Sequence, residues 1–490
     1  MDARRHAQYA GTLPADDTHP YRTGPWRPQT TEWDATGLTV IGDLPDDLNG
    51  VYLRNTENPL HDALGRYHPF DGDGMLHALH LHDGRADYRN RFVRTKGLEA
   101  ELAAGRSLWP GITDDPAKAL APSPGPSARA GTKDASSTDV TVHNGRALTS
   151  FYLCGDLYAA DPRTLEPLGT EPWVPPDWGA CSHPKVDAVT GELLFFNYST
   201  EYPYLHFGVV SPAGELAHYA PVPLPGPRMP HDMAFTERFV VLNDLPMFWD
   251  ERALARGQYV NRYHPDMPSR FAIVPRRGGA DDVRWFEASA TNVLHWINAF
   301  EDGDEVVLDG FHQGCPDPRR AGDDRWTTTR RYLDANELQT RPHRWRFNLR
   351  TGRTTEEFLD DSYLEFGMIN AARGGRSYGH VYTMTAEPGW FLFNGLTKFD
   401  VRTGAKQEWR FPKGVYASES PMAPRASGGA DAAEDDGHVL SFVTDMNAGT
   451  SECHIFDAAD VSAGPVCRVL LPEQISSGTH TVWAPEESLT

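Results

Sequence analysis

Val186-Asp-Ala-Val-Thr-Gly-Glu-Leu-Leu-Phe-Phe196 reads as two strands joined by a tight polar turn. The same pattern returns in Tyr158–Gly169, Val210–Leu216, Phe347–Arg353 and Phe399–Ala405. Asp or Asn opens four of these five turns by bonding its own backbone, at 161, 187, 348 and 400. Glycine at 191, 352 and 404 supplies the positive φ that closes three of them. Helical periodicity is confined to short stretches, Gly97–Ala104 and Asp250–Gly257. Repeated hairpins along one long chain predict an all-β protein, a sandwich array or a propeller. The turn openers are unevenly spaced (161, 187, 348, 400, 457), which fits unequal blades with long inserted loops. Two segments read as mobile insertions, 117–137, rich in Ala, Pro and Ser, and the acidic Gly/Ala stretch 424–437. No break in composition divides the chain, so a single domain over 1–490 is expected, with 1–30 extended.

The 490 residues are 39% hydrophobic, enough for a sizeable core, and 46 basic against 68 acidic residues give a net charge of −22. Such a surface repels phosphate backbones and excludes nucleic acid as a partner. Five cysteines without a C-x-x-C pair predict reduced core thiols rather than disulfides or a thiolate zinc site. Met1–Gln29 lacks the apolar core of a signal peptide, and no apolar run reaches the roughly 18 residues of a spanning helix, so a cytoplasmic protein is expected.

Several motifs are decoys. Phe70-Asp-Gly-Asp-Gly-Met75 lacks the distal glutamate of a calcium loop and reads as a β-turn. Gly375-Arg-Ser-Tyr-Gly379 is followed by a strand-like His380–Thr385 instead of the helix a nucleophile elbow needs. His77, His80 and His82 are expected to be solvated imidazoles on a strand face.

Four of the 20 histidines share one kind of position, at or beside the start of an apolar strand. They are Cys181-Ser-His183-Pro-Lys-Val-Asp187, Met229-Pro-His231-Asp-Met-Ala-Phe235, Val293-Leu-His295-Trp-Ile-Asn298 and Gly478-Thr-His480-Thr-Val-Trp483. Strands converging on a propeller axis can bring distant imidazoles together, and an imidazole-only site favours Fe(II), Cu or Zn. Spacing alone does not select these four.

In this order the four motifs resemble the iron-ligand motifs of the carotenoid cleavage oxygenase family, which includes stilbene-cleaving dioxygenases. Asn49–Asn55, Tyr67–His77, Arg91–Thr95, His295–Glu301 and Trp345–Asn348 extend the resemblance along most of the chain. It implies a seven-bladed β-propeller, long loops capping the iron-bearing face, and a non-haem Fe(II) held by His183, His231, His295 and His480. It also implies glutamates that orient three of the ligands, matched here by Glu365 and Glu419. The third should precede Tyr158, but Leu148–Asp156 contains no glutamate, so that orienter is missing or replaced by a backbone carbonyl or water. Thr138 matches a residue whose methyl crowds an iron position in the family. Stilbene-cleaving relatives hold the phenol with a lysine whose place falls near Tyr152, where this chain has none. The expected reaction is therefore cleavage of one C=C of a carotenoid or apocarotenoid by O2 into two carbonyl products, with stilbene or phenylpropenoid cleavage as the alternative. Bilayer-borne substrates call for an apolar rim, and Leu245-Pro-Met-Phe-Trp249 is the candidate for a peripheral membrane contact.

Overall fold

The computed structural model describes residues 1–112, 114–122, 125, 132–257, 259–318, 333–425 and 432–489. Each predicted turn is built as its chemistry requires. The Asp187 carboxylate accepts from Val189 N at 3.0 Å, and Asn348 and Asp400 accept in the same way from the residues two and three positions on. Gly191, Gly352 and Gly404 sit at φ +72°, +75° and +74°.

Among the described residues, the 6-, 4-, 4-, 4-, 4- and 10-stranded sheets contain seven antiparallel units of four strands, with a further two-stranded piece at Met247–Trp249. The second strands of the units are buried on both faces, as in Leu193–Tyr198, because neighbouring blades pack face to face. Outermost strands such as Thr354–Phe358 are largely exposed. The first strands are Asp139–His143, Lys185–Val186, Ala234–Phe235, Trp296–Asp302, Leu364–Met368, Met422–Pro424 and Thr481–Pro485. The ring is closed twice. The C-terminal strand Thr481–Pro485 pairs with Gly50–Glu57 to complete the blade of Gly74–His82 and Arg85–Phe92, and Val40–Gly42 adds to the edge of Pro465–Leu470. Val415–Ala417 links the last two blades into one continuous sheet. Helices are few: Lys96–Ala104, capped by Thr95, and one-turn pieces such as Glu251–Leu254.

Several expectations need correction. Within 117–137, residues 123, 124 and 126–131 lie outside the described residues, but 132–137 is packed. The Lys133 ammonium sits between Asp73 (2.7 Å) and Glu101 (2.6 Å), and Ser136 and Ser137 are buried. Within 424–437, residues 426–431 lie outside the described residues, while the Glu434 carboxylate accepts from Gly379 N and His380 N. Both insertions are thus tethered at one end by buried or multiply bonded charges. His77 is not solvated: it is fully buried and bonded to Tyr88 Oη at 2.8 Å and Thr56 Oγ1 at 3.1 Å. Only His80 and His82 share the outer face, because alternate residues of a strand point to opposite sides.

Leu245–Trp249 is not a rim. Met247–Trp249 pairs with Asn261–Tyr263, Phe248 lies between the His264 ring (4.2 Å) and the Arg228 guanidinium (3.9 Å), and Trp249 joins the core. A Phe248→Asp/Trp249→Asp double variant would bury two carboxylates, one in the core and one whose nearest cation, Arg228, is already paired with Asp244. It is expected to lose the cooperative melting transition altogether, and a wild-type transition in a thermal scan would contradict this packing. Among the described residues, no helix is long and apolar enough to cross a membrane.

Candidate metal centre

All seven blades send a side chain or a neighbouring loop residue to one place on the axis. His183, His231, His295 and His480 immediately precede, or lie a few residues before, the first strands of four blades. Their rings gather closely: centroids are 5.0 Å apart for His183–His231, 5.2 Å for His231–His295, 4.7 Å for His295–His480 and 4.4 Å for His183–His480. The Nε2 atoms of His183 and His231 stand 3.3 Å apart, and ring nitrogens of His183, His231 and His295 lie within 4.8 Å of one another.

The outward-facing nitrogens are held by carboxylates. Glu365 accepts from His295 Nδ1 at 2.7 Å, and Glu419 accepts from His480 Nδ1 at 3.2 Å. Each of the two matched glutamates is thus bonded to one imidazole of the cluster. Glu419 is fixed in turn by Thr481 N at 2.7 Å. Glu365 is aimed by an irregularity in its strand. Register slips between Glu365 and Met368, and Phe366 takes φ +56°. Glu365 and Phe366 consequently both reach the centre, and the Phe366 ring stacks on His295 at 5.2 Å and 26°. His183 itself sits at φ +62°, a conformation costing about 1–2 kcal/mol for a non-glycine residue and kept where surrounding structure enforces it.

A Nδ1–H donated to carboxylate leaves the Nε2 lone pair for the centre. The His295 Nε2 is buried with no hydrogen-bond partner, an orphan that a metal ion would satisfy. Burial and the neighbouring imidazoles hold His183 and His231 well below the usual histidine range, and burial takes His480 down to about 3. Burial also opposes the charged form of His295, but the Glu365 carboxylate outweighs it and the net shift is upward. Neutral imidazoles are the form that ligates; three of the four are held neutral, and with the orphaned His295 Nε2 the residues present fit a borderline divalent ion.

Thr138 precedes the first strand of its blade, and its hydroxyl accepts from Tyr152 N at 3.1 Å. Tyr152 lies beside His231 (centroids 6.3 Å) and begins an arc of rings running through Phe70 and Phe391 to Phe366, which returns to His295 and His480. Sequence reasoning passed over these aromatics and Asp139, which accepts from His183 Nδ1 at 2.9 Å. The available signal was position: Asp139 opens a first strand, in the kind of place the four histidines occupy.

The family described as "Retinal pigment epithelial membrane protein" matches residues 26–485. The chain belongs to the carotenoid cleavage oxygenase family. It is 32% identical to a carotenoid 9,10(9',10')-cleavage dioxygenase 1 of Phaseolus vulgaris, over 98% of this chain and 91% of that protein. It is 27% identical to the isoeugenol monooxygenase of Pseudomonas putida, over 96% and 98% of the two. The crystal structure of a Pseudomonas brassicacearum lignostilbene dioxygenase superposes with TM-score 0.83 at 28% identity, over 96% of this chain and 99% of that one. This carotenoid cleavage oxygenase is thus an oxidoreductase of a family that acts on double bonds with O2, and its propeller matches the solved structures of that family.

Proposed function

We propose that the protein is an Fe(II)-dependent dioxygenase that splits one C=C bond of a carotenoid or apocarotenoid. Each oxygen atom of O2 ends in one of the two carbonyl products. The observation that carries this reading is the arc Tyr152–Phe70–Phe391–Phe366, which starts on His231 and ends on His295 and His480. Faces and edges of rings grip a conjugated chain by area and dispersion, with no charge to pair. Bound iron supplies the open positions and redox chemistry that O2 activation needs. The chain's own residues do the rest. His183, His231, His295 and His480 hold the ion, Glu365 and Glu419 keep two rings in the ligating tautomer, and the aromatic arc excludes water. Thr138 is assigned the crowding of one position at the metal. Lys185, two residues after His183, is engaged by Asp232 at 2.9 Å and is not free to hold a phenolate.

One observation favours a second reading, cleavage of a stilbene or phenylpropenoid. The Tyr152 hydroxyl, close to His231, is buried without a hydrogen-bond partner and could meet a substrate phenol. Incubation of the iron-loaded enzyme with carotenoids, apocarotenoids and stilbenes, followed by product identification, separates the two. Aldehydes from the polyenes are expected; turnover of stilbenes alone would overturn the leading assignment.

A further inference from the structure

The carboxylate count at the centre is three, although one of the expected glutamates is absent. We propose that Asp139 is the third orienting carboxylate, and that it acts on His183 rather than on the ligand left without a glutamate. This rests on the metal reading given above.

Among the described residues, no carboxylate is bonded to His231. The segment expected to provide one instead offers Tyr152, whose backbone is tied down on both sides. Its N–H donates to Thr138 Oγ1, and its carbonyl accepts from Tyr198 Oη at 2.6 Å. The His231 ring is therefore positioned by packing against an aromatic neighbour. On the next blade round the axis the arrangement is reversed. Asp139 Oδ2 accepts from His183 Nδ1 at 2.9 Å, while Oδ1 accepts from its own strand at Val140 N, 2.7 Å. Its carbonyl accepts from Asn55 Nδ2 at 3.2 Å, and the preceding Thr138 carbonyl accepts from Thr479 Oγ1 at 3.2 Å, beside His480. Asp139 is thus clamped between the blades that carry His183 and His480, and it reaches the ring from a rigid strand start.

The contact does two things. It fixes the His183 tautomer with Nε2 facing His231 Nε2, 3.3 Å away, and it supports a residue held at φ +62°. It also keeps three carboxylates around the site, the third still on its own blade but serving a histidine one blade away from the one left without a glutamate. Asp139 is in this sense a positioning residue, acting through His183.

The test is Co(II) titration of metal-free full-length protein, read by ligand-field absorption, with a thermal scan of each metal-free variant. Asp139→Asn, which preserves shape, and Asp139→Ala are expected to bind Co(II) about 10–100-fold more weakly, as Glu365→Gln should. Their absorption bands should shift and their melting transitions stay wild-type, and Asp139→Glu should recover part of the affinity. Wild-type affinity and spectrum in Asp139→Asn, alongside a weakened Glu365→Gln, would overturn the inference alone. A wild-type chain that takes up no Co(II) would overturn it together with the metal reading.

Discussion

Alanine at any one of His183, His231, His295 or His480 is expected to leave a folded protein that purifies without iron and does not cleave substrate. The wild-type chain should carry about one iron each. The expectation follows from how the four rings share one centre: with centroids 4.4 to 5.2 Å apart, removing any one takes away one of four converging imidazoles. The fold should survive, because the rings lie at strand starts on the axis while stability resides in the faces between blades. Metal analysis, a melting scan and an activity assay check this together. Chelation of the wild type should abolish turnover and added Fe(II) restore it; full activity after complete iron removal would sink the assignment.

Arg344→Ala carries the largest loss of stability expected of a single substitution, about 3–5 kcal/mol. Arg344 grips Asp309 with two hydrogen bonds, 2.8 and 2.7 Å, and Tyr378 Oη donates to the same carboxylate at 2.6 Å. The Asp309 side chain is wholly inaccessible to solvent. Removing the guanidinium leaves a buried anion with a single hydroxyl donor, whereas Tyr378→Phe keeps the bidentate pair and should cost only about 1 kcal/mol. Denaturant midpoints for the two variants should rank in that order, and equal midpoints would show that the pair is dispensable.

The hairpins could be read from the chain because their turn chemistry is local. An Asp or Asn four residues before a glycine fixes its own backbone whatever surrounds it. The four histidines and two glutamates were legible through motif resemblance, and the structure brings these residues together. Asp139 was passed over because its partner is 44 residues away and its one signal, a place at a strand start, carries no chemistry of its own. Leu245–Trp249 misled for a related reason. An apolar run beside a proline looks the same whether it meets lipid or another strand, and only its pairing with Asn261–Tyr263 settles which. His77 was misplaced because three histidines close in sequence were treated as one face, while the pleat separates His77 from the other two.

The double closure of the ring also sets a timetable. His480 lies just before Thr481–Pro485, the strand that pairs with Gly50–Glu57 from the opposite end of the chain. During synthesis, three imidazoles can emerge and six blades can form while the fourth donor and the last strand are still unmade. A stalled or clipped chain would therefore lack the centre as well as the clasp. The complete four-imidazole centre exists only in molecules in which Thr481–Pro485 has met Gly50–Glu57, so the fold works as its own quality check on where the site is finished.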